Sequence, residues 1–150
     1  MAGPSLFNRK HCLEISETCL AFNLRKADRL LTQLYDRALK GTGLRHTQFA
    51  VLVAVRGLEP APLSQVAVQL GLERTTLSRN LELLEKEGLV ESAPGEDLRE
   101  RHLTVAARGH EALLVAFPRW KAIQKQMQAR LGSAAMAALV RDLEQIVARS

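Results

Sequence analysis

Two arginines and three hydroxyl residues lie close together in the stretch RTTLSR, residues 74–79. An arginine guanidinium group can bind the edge of guanine or a phosphate, and short hydroxyl groups suit phosphates and the thymine methyl group. The residues that could do this chemistry are Arg74, Thr75, Thr76, Ser78 and Arg79. Exposed arginine and serine residues are also common at the start of a helix, so a solvated face remains the alternative for each of them.

A second group of charged residues follows in the stretch GEDLRERHL. Arg99 and Arg101 could reach a minor groove or its phosphates if a hairpin projects beside the helix that carries Arg79. Asp97 lies two residues before Arg99 and could orient its guanidinium group by a charge-assisted hydrogen bond. The alternative role for Asp97 is that of an ordinary acidic turn residue.

A tight pair of helices is needed to hold the first group of residues. The apolar spacing predicts helices over 64–70 and 74–87, with Gly88 ending the second. In a helix-turn-helix the two helices cross steeply, which requires a small residue at the close approach and a turn residue that tolerates positive φ. Ala67 and Gly71 meet these two needs. Apolar contacts within the pair are expected from Val66, Leu70, Leu72, Leu77 and Leu81.

The second group requires a hairpin. The stretch LVESAPGEDLRERHL predicts two short strands, over 89–93 and 101–103, around a loop that contains Pro94 and Gly95. This hairpin is a small β-wing beside the helix pair.

Two helices are predicted before this region. Apolar residues recur at helical spacing over 16–40, where Ser16 can cap the helix and Gly41 can end it. A helix of this length has a spare apolar face, which suggests a partner chain. The stretch TQFAVLVAVRGL is apolar nearly all round, which predicts a buried helix over 47–56, and the following EPAP breaks the chain.

Two more helices are predicted after the hairpin. Thr104 caps a long helix in which Pro118 is expected to cause a kink, and a last helix begins at Ser133. The fold class is therefore mainly α with a small β-wing. We predict a single domain over 1–150, in which a winged helix-turn-helix over 44–103 is flanked by dimerisation helices over 16–40 and 104–150.

The charge of the chain permits an acidic partner without requiring one. Its 21 Lys and Arg against 16 Asp and Glu give a net charge of +5. From Leu63 to Thr104, however, the sequence has only five basic residues and eight acidic ones. Attraction to nucleic acid would then depend on how the few arginines are presented. The chain lacks a membrane-spanning apolar run and a secretion signal, so we expect a cytoplasmic protein.

Enzymatic activity is not predicted. The sequence lacks a nucleophile with a base, paired carboxylates, a glycine-rich phosphate loop and metal ligands at working spacing. No cofactor and no metal ion are therefore expected. Cys12 and Cys19 are expected to be thiols and not a structural disulfide.

Four segments together resemble the MarR family of bacterial and archaeal winged-helix transcription regulators. They are GLRHTQFAVL, VAVQLGLERTTLSRNLELLEKEGLV, GEDLRERHLT and the ARG that opens the long helix, and the resemblance extends from about Cys19 to the C-terminus. The family implies a homodimer with interlaced terminal helices and two winged helix-turn-helix lobes on a palindromic double-stranded DNA operator. The resemblance also implies a mode of action that is frequent in the family, namely repression that is relieved by a small ligand or by thiol oxidation.

Matched by position, Arg79 and the hydroxyl residues before it correspond to the family's recognition-helix contacts, and Asp97 with Arg99 corresponds to its wing motif. Arg45 stands where family members often have serine or threonine at the start of the second helix. Leu98 replaces the polar or basic residue that is frequent between the wing aspartate and arginine.

Two kinds of switch are compatible with the sequence. Cys19 is placed in the first turn of the first helix, where the positive helix end stabilises a thiolate, so it could be a redox sensor. Its alternative role is that of a small apolar residue at a dimer seam. A small aromatic or amphipathic ligand could instead bind in the crevice between the dimer helices and the DNA-binding lobe. His46, His102 and His110 could contribute there, or could be ordinary polar residues.

The sequence thus predicts a dimeric, sequence-specific DNA-binding regulator, most often a repressor. The alternative is a helical interaction and dimerisation module that has lost DNA binding. An arginine-bearing recognition helix together with a wing favours the regulator, because a pure docking module does not need both.

Overall fold

The computed structural model describes residues 7–148 of the chain. Within this range the elements are, in chain order, α1 (Arg9–Thr18), α2 (Leu20–Ala38), α3 (His46–Leu58), β1 (Ala61–Pro62), α4 (Leu63–Leu70), α5 (Arg74–Lys86), β2 (Val90–Pro94), β3 (Arg101–Val105), α6 (Ala107–Leu131) and α7 (Ser133–Ala148). They belong to two compact units, one ending at Leu34 and one beginning at Tyr35.

The first unit begins with a helix that the sequence analysis did not predict. Asn8 caps α1 by accepting a hydrogen bond from the Lys10 amide at 2.9 Å. Ser16 is therefore inside α1, where its hydroxyl donates to the Leu13 carbonyl, and its predicted role as an N-cap is wrong. The chain breaks at Cys19, and the Asn23 side-chain amide donates to the carbonyls of Ser16 and Cys19 at 3.1 and 2.9 Å. The Ser16 carbonyl near the end of α1 gains a partner in this way, while the Cys19 carbonyl also accepts the Asn23 backbone amide at 3.1 Å.

The second unit is built around α3. Of its side chains, Leu52 and Val55 are fully buried, which confirms the predicted buried helix with slightly wider bounds. The α3 N-terminus follows Arg45, whose backbone amide donates to Gln48 Oε1 at 3.0 Å. The largest fully buried side chains of this unit are Leu39, Leu52, Leu77, Leu81, Leu84, Leu103, Val55, Val66 and Val90.

The helix-turn-helix is confirmed. Gly71 adopts a left-handed conformation with φ of 62° and ends α4, as its freedom from a Cβ atom allows. The Leu72 amide then donates to the Ala67 carbonyl at 2.9 Å, and Ala67 itself is buried. Val66, Leu77 and Leu81 are fully buried, while Leu70 and Leu72 pack against the same core.

The sheet has three strands in the order β1-β3-β2, all antiparallel. The predicted hairpin is confirmed, but Pro94 belongs to β2, paired with Arg101, and not to the loop. The strand β1 was missed, because the EPAP stretch carries two prolines and indicates only a chain break. In the register, Ala61 pairs with Leu103 and Ser92 pairs with Leu103 from the other side.

The start of α6 differs from the prediction. Leu103 and Val105 are both buried with Thr104 exposed between them, so the strand alternation continues through Thr104. Thr104 is therefore not the cap of the long helix, and Ala106 occupies that position without a side-chain hydrogen bond.

The helix α6 begins very close to the end of α5. A Cβ atom added at Gly109 would lie 2.2 Å from the Leu89 carbonyl oxygen, so only glycine fits there. Pro118 lies inside α6, and α7 begins at Ser133 as predicted. Large apolar side chains that remain exposed on α6 and α7 include Leu114, Val115, Phe117, Leu131, Leu139, Val140 and Val147. Between residues 7 and 148, no helix is both long and apolar enough to span a bilayer.

Candidate nucleic-acid interface

The predicted arginine and hydroxyl residues of α5 and the wing meet around one cleft of about 360 Å³. We call it the arginine cleft, and it is lined by Leu63, Arg74, Thr75, Ser78, Arg79, Arg99 and Arg101. Six of the eight DNA-contact residues predicted from the sequence are thus brought together. Thr76 is exposed but does not line the cleft, and Asp97 lies in the wing loop beside it.

Helical periodicity places the α5 side chains in the cleft. Leu77, Leu81 and Leu84 are buried at spacings of four and three residues, so one face of α5 is fixed against the core. Arg79 lies on the opposite face, whereas Arg74 lies beside the buried face in the first turn; both are exposed and line the cleft.

Hydrogen bonds within the loop hold the tip of the wing. The Gly95 amide donates to the Glu100 carbonyl at 2.8 Å, and the Glu100 amide donates to the Asp97 carbonyl at 2.9 Å. Asp97 Oδ1 accepts from the backbone amide of Arg99 at 2.9 Å. Asp97 therefore orients the backbone of Arg99, and the predicted bond to its guanidinium group is not present. Leu98 is 85% exposed at the tip.

Arg101 differs from the other arginines of the cleft. Its Nη2 donates to Glu85 Oε1 at 2.6 Å and to Ser92 Oγ at 2.7 Å. Arg74, Arg79 and Arg99, by contrast, make no ion pair or side-chain hydrogen bond within residues 7–148. Three guanidinium groups of the arginine cleft are therefore available to a ligand, while the fourth is already bound.

The acidic residues of this region lie outside the lining of the cleft. Glu87 accepts a hydrogen bond from Gln48 Nε2 at 3.1 Å, and Glu100 accepts one from the Ser64 hydroxyl. The acidic excess counted over 63–104 therefore does not prevent a positive potential inside the cleft, because the side chains that face it are arginines and neutral residues.

A larger cavity of about 980 Å³ lies between the end of α2, the loop that follows it, α3 and α5. We call it the α3–α5 cavity. Its lining combines an apolar wall with three basic and two acidic residues: Asp36, Arg37, Leu39, Lys40, Gly41, Gly43, Leu44, Arg45, Thr47, Gln48, Val51, Asn80, Leu83, Leu84 and Glu87. His46, His102 and His110, which the sequence suggested for a ligand pocket, do not line it.

A cluster of polar contacts lies at the start of α3. The His46 backbone amide donates to Asp36 Oδ1 at 2.7 Å, and the Tyr35 ring lies 4.9 Å from the His46 ring. The Tyr35 hydroxyl donates to Gln124 Oε1 at 2.7 Å. Burial raises the pKa of Tyr35, because its charged form is poorly solvated there. These contacts join the last turn of α2 to α3 and α6.

The cysteines lie in the first unit. Cys19 is half-buried at the break between α1 and α2, directly before the first turn of α2 and not inside it as predicted. Cys12 is exposed on α1, and both are free thiols.

Comparison with known proteins agrees with this geometry. A sequence model of the MarR family matches residues 42–100, which contain the helix-turn-helix and the wing loop. The structure is also similar to that of the transcriptional regulator MosR of M. tuberculosis, crystallised in complex with DNA. The TM-score is 0.79 and the identity 36%, over 87% of this chain and 95% of MosR. The chain belongs to the MarR family.

Curated relatives match this MarR family protein over a shorter range. An uncharacterised helix-turn-helix transcriptional regulator of Bacillus subtilis, YwoH, is 29% identical over 82 residues, which are 55% of this chain and 60% of YwoH. The transcriptional repressor MprA of Escherichia coli is 31% identical over 86 residues, 55% of this chain and 49% of MprA. The chain thus spans about half the length of the curated relatives that it matches.

The family also confirms the predicted fold class of a mainly helical protein with a small β-wing. Sequence reasoning found six of the seven residues of the arginine cleft, because they share one helix face and one hairpin. It expected a ligand crevice between the dimerisation helices and the lobe but named no lining residue of the α3–α5 cavity, because these come from separate segments that no local pattern connects.

Proposed function

We propose that this protein is a homodimeric transcriptional regulator that binds double-stranded DNA in a sequence-specific manner and acts as a repressor. The observation that carries the proposal is the arginine cleft, in which unpaired guanidinium groups of α5 and of the wing face the same open space. The crystal structure of MosR, 36% identical to this chain, contains DNA and supports the proposal.

In this proposal α5 enters the major groove. Arg74 and Arg79 bind guanine edges or phosphates, while Thr75 and Ser78 contact phosphates and thymine methyl groups. The wing lies over the adjacent minor groove, where Arg99 benefits from the negative potential. Each lobe would then read one half of a palindromic operator.

The dimer supplies the second half-site. The helices α6 and α7 expose several large apolar side chains, among them Leu114, Phe117 and Val140. Contact of such side chains with water is unfavourable, so a second copy of the chain would cover them. In the first unit, Phe22 and Leu30 are likewise exposed on α2. A twofold dimer would place two recognition helices in successive major grooves, about 34 Å apart.

Release from DNA would come from a small effector in the α3–α5 cavity. The apolar wall of Leu39, Val51 and Leu84 suits a hydrophobic body, and Lys40 with Arg45 suits an anionic group. Such a ligand would act by binding more tightly to the dimer whose lobes do not match the groove spacing. Oxidation of Cys19 is the alternative switch.

A footprinting experiment on DNA upstream of the coding region of this protein tests the proposal. The reduced wild-type protein should protect a palindromic site, with an affinity that falls steeply with salt because phosphate contacts release counterions. A variant with Arg74→Ala and Arg79→Ala should lose this protection, whereas Arg130→Ala, an exposed arginine at the end of α6, should retain it.

If a folded, reduced dimer shows no salt-sensitive and sequence-dependent protection, the protein is instead an interaction module that does not bind DNA. Titration with aromatic carboxylates tests the effector separately. Arg45→Ala should weaken their effect on DNA binding more than His110→Ala, since His110 does not line the cavity.

A further inference from the structure

We propose that Arg101 is a positioning residue: together with Glu85 and Ser92 it fixes the wing against the recognition helix, so that Arg99 and not Arg101 reaches the DNA. We call these three residues the helix–wing clamp. The inference rests on the proposed function, and it assigns to Arg101 a role different from the DNA contact that its type and position suggest.

The clamp joins three different elements. Glu85 belongs to the last turns of α5, Ser92 to the middle of β2, and Arg101 to the first position of β3. Arg101 Nη2 lies 2.6 Å from Glu85 Oε1, and Ser92 Oγ donates to the same carboxylate oxygen at 2.5 Å. The third side of the triangle, from Arg101 Nη2 to Ser92 Oγ, is 2.7 Å. Every member thus contacts the other two.

The outer half of the wing has little else to hold it. In β2 only Val90 is buried, while the four residues from Glu91 to Pro94 are exposed. The short strand β1 pairs with β3 only at His102 and Leu103. A two-stranded hairpin without a packed face is marginally stable and free to move. Polar links to the helices must therefore fix its direction.

Two such links to the helices are present among the described residues. The Ser64 hydroxyl donates to Glu100 and ties the loop to α4. The helix–wing clamp ties both strands of the wing to α5, β2 through Ser92 and β3 through Arg101. Among the described residues, the clamp supplies the side-chain hydrogen bonds between the wing and the helix that carries Arg79, so in this proposal it sets the separation between the major-groove and minor-groove contacts.

Charge compensation explains why Arg101 remains in the clamp. If its guanidinium group moved to a DNA phosphate, the carboxylate of Glu85 would lose its cation. The uncompensated carboxylate would then repel the phosphates of the bound DNA, so the pair is favoured when it stays intact. Arg99 has no such partner within the described part of the chain and is free to bind a phosphate or a minor groove.

The experiment compares Glu85→Gln, Arg101→Gln and the double variant. Operator affinity is measured by fluorescence anisotropy and wing contacts by hydroxyl-radical footprinting of minor-groove sugars. The clamp predicts that both single variants lower affinity by about two- to fivefold, the effect expected for a partly exposed ion pair, and that the double variant is no worse than either. Both single variants should lose the minor-groove footprint of the wing and keep the protection of the DNA bases that the recognition helix α5 covers.

A direct DNA contact by Arg101 gives the opposite pattern. Glu85→Gln would then release Arg101 and raise the affinity or leave it unchanged, and only Arg101→Gln would lower it. This result would overturn the inference. Glu82→Gln, which removes an exposed acid one turn earlier on α5, is the matched control and should leave the wing footprint intact.

A charge exchange tests rescue. Glu85→Arg and Arg101→Glu should each abolish the wing footprint, and the variant that carries both should restore it, because the ion pair is rebuilt with reversed direction. If Arg101 contacted the DNA directly, the variant that carries both changes would not recover the wing footprint, since a carboxylate at position 101 repels phosphates.

Amide hydrogen exchange in the free protein separates this inference from the proposed function. Exchange over 91–102 should accelerate several-fold in Glu85→Gln and Arg101→Gln and return toward the wild-type rate in the charge-exchange variant. Unchanged exchange in the single variants overturns the inference even if the wild-type protein binds no operator. Failure of the proposed function appears instead as a wild-type protein without protection on any operator.

Discussion

The recognition helix and the wing present their arginines by different means. On α5, the three buried leucines fix one face, and the helical repeat then directs Arg79 to the other, while Arg74 lies beside the buried face at the helix start. On the wing, only Val90 of β2 is buried, and hydrogen bonds that Asp97 and Glu85 accept and Ser64 donates hold the loop that carries Arg99. Packing therefore positions one half of the interface, and polar contacts between distant residues position the other.

The largest effect is expected where packing alone acts. Leu77→Ala should lower the free energy of unfolding by about 2 to 5 kcal/mol, because Leu77 is fully buried and a cavity would remain. Leu98→Ala on the exposed wing tip should change it by less than about 0.5 kcal/mol. Urea denaturation followed by circular dichroism measures both. Equal losses would show that the wing tip is packed after all.

The base of the wing should behave like the core. Gly109→Ala places a methyl group against the Leu89 carbonyl just before β2, and we expect a loss of about 1 to 3 kcal/mol or more from overpacking. The matched control is Gly57→Ala on α3, where a Cβ atom meets nothing within 4 Å. The control should gain about 0.5 to 1 kcal/mol from helix propensity. A neutral Gly109→Ala would mean that α6 can move away from Leu89.

The helix half of the interface should govern base preference. Arg79→Ala is expected to reduce discrimination between the operator and a variant operator by about 1 to 3 kcal/mol. Thr76→Ala should have a smaller effect, since Thr76 does not line the arginine cleft. Competition binding with single-base operator variants measures the discrimination. If Arg79→Ala left the base preference unchanged, Arg79 would not be one of the residues that recognise bases.

The smallest effect should come from the wing loop. Asp97→Ala removes the hydrogen bond to the Arg99 amide and should weaken operator binding by about 0.5 to 1.5 kcal/mol. Asp97→Asn keeps an acceptor oxygen at the same place and should bind nearly as the wild type does. If alanine and asparagine are equally harmful, the charge of Asp97 matters more than its bond to the backbone.

The same contrast explains what the sequence could predict. The helix-turn-helix was found because the leucine spacing and Gly71 are local signals for its helices and turn. The partners of Arg101 were not found, because Glu85 and Ser92 lie 16 and 9 residues away and no periodicity connects them. Ser16 and Thr104 are good capping residues by type, but Asn8 had already capped α1 and buried Val105 kept Thr104 in a strand. The α3–α5 cavity likewise depends on long-range packing.

The order of the sheet has a consequence for how the protein meets copies of itself. Because β3 is central, β1 and β2 are both edge strands, and each ends in a proline, Pro62 and Pro94. Proline has no amide hydrogen, so at Pro62 and Pro94 the edge strand could not donate a backbone hydrogen bond to a strand of another molecule. Self-assembly by strand addition, and the fibres that can grow from it, is thereby discouraged at both edges of the sheet.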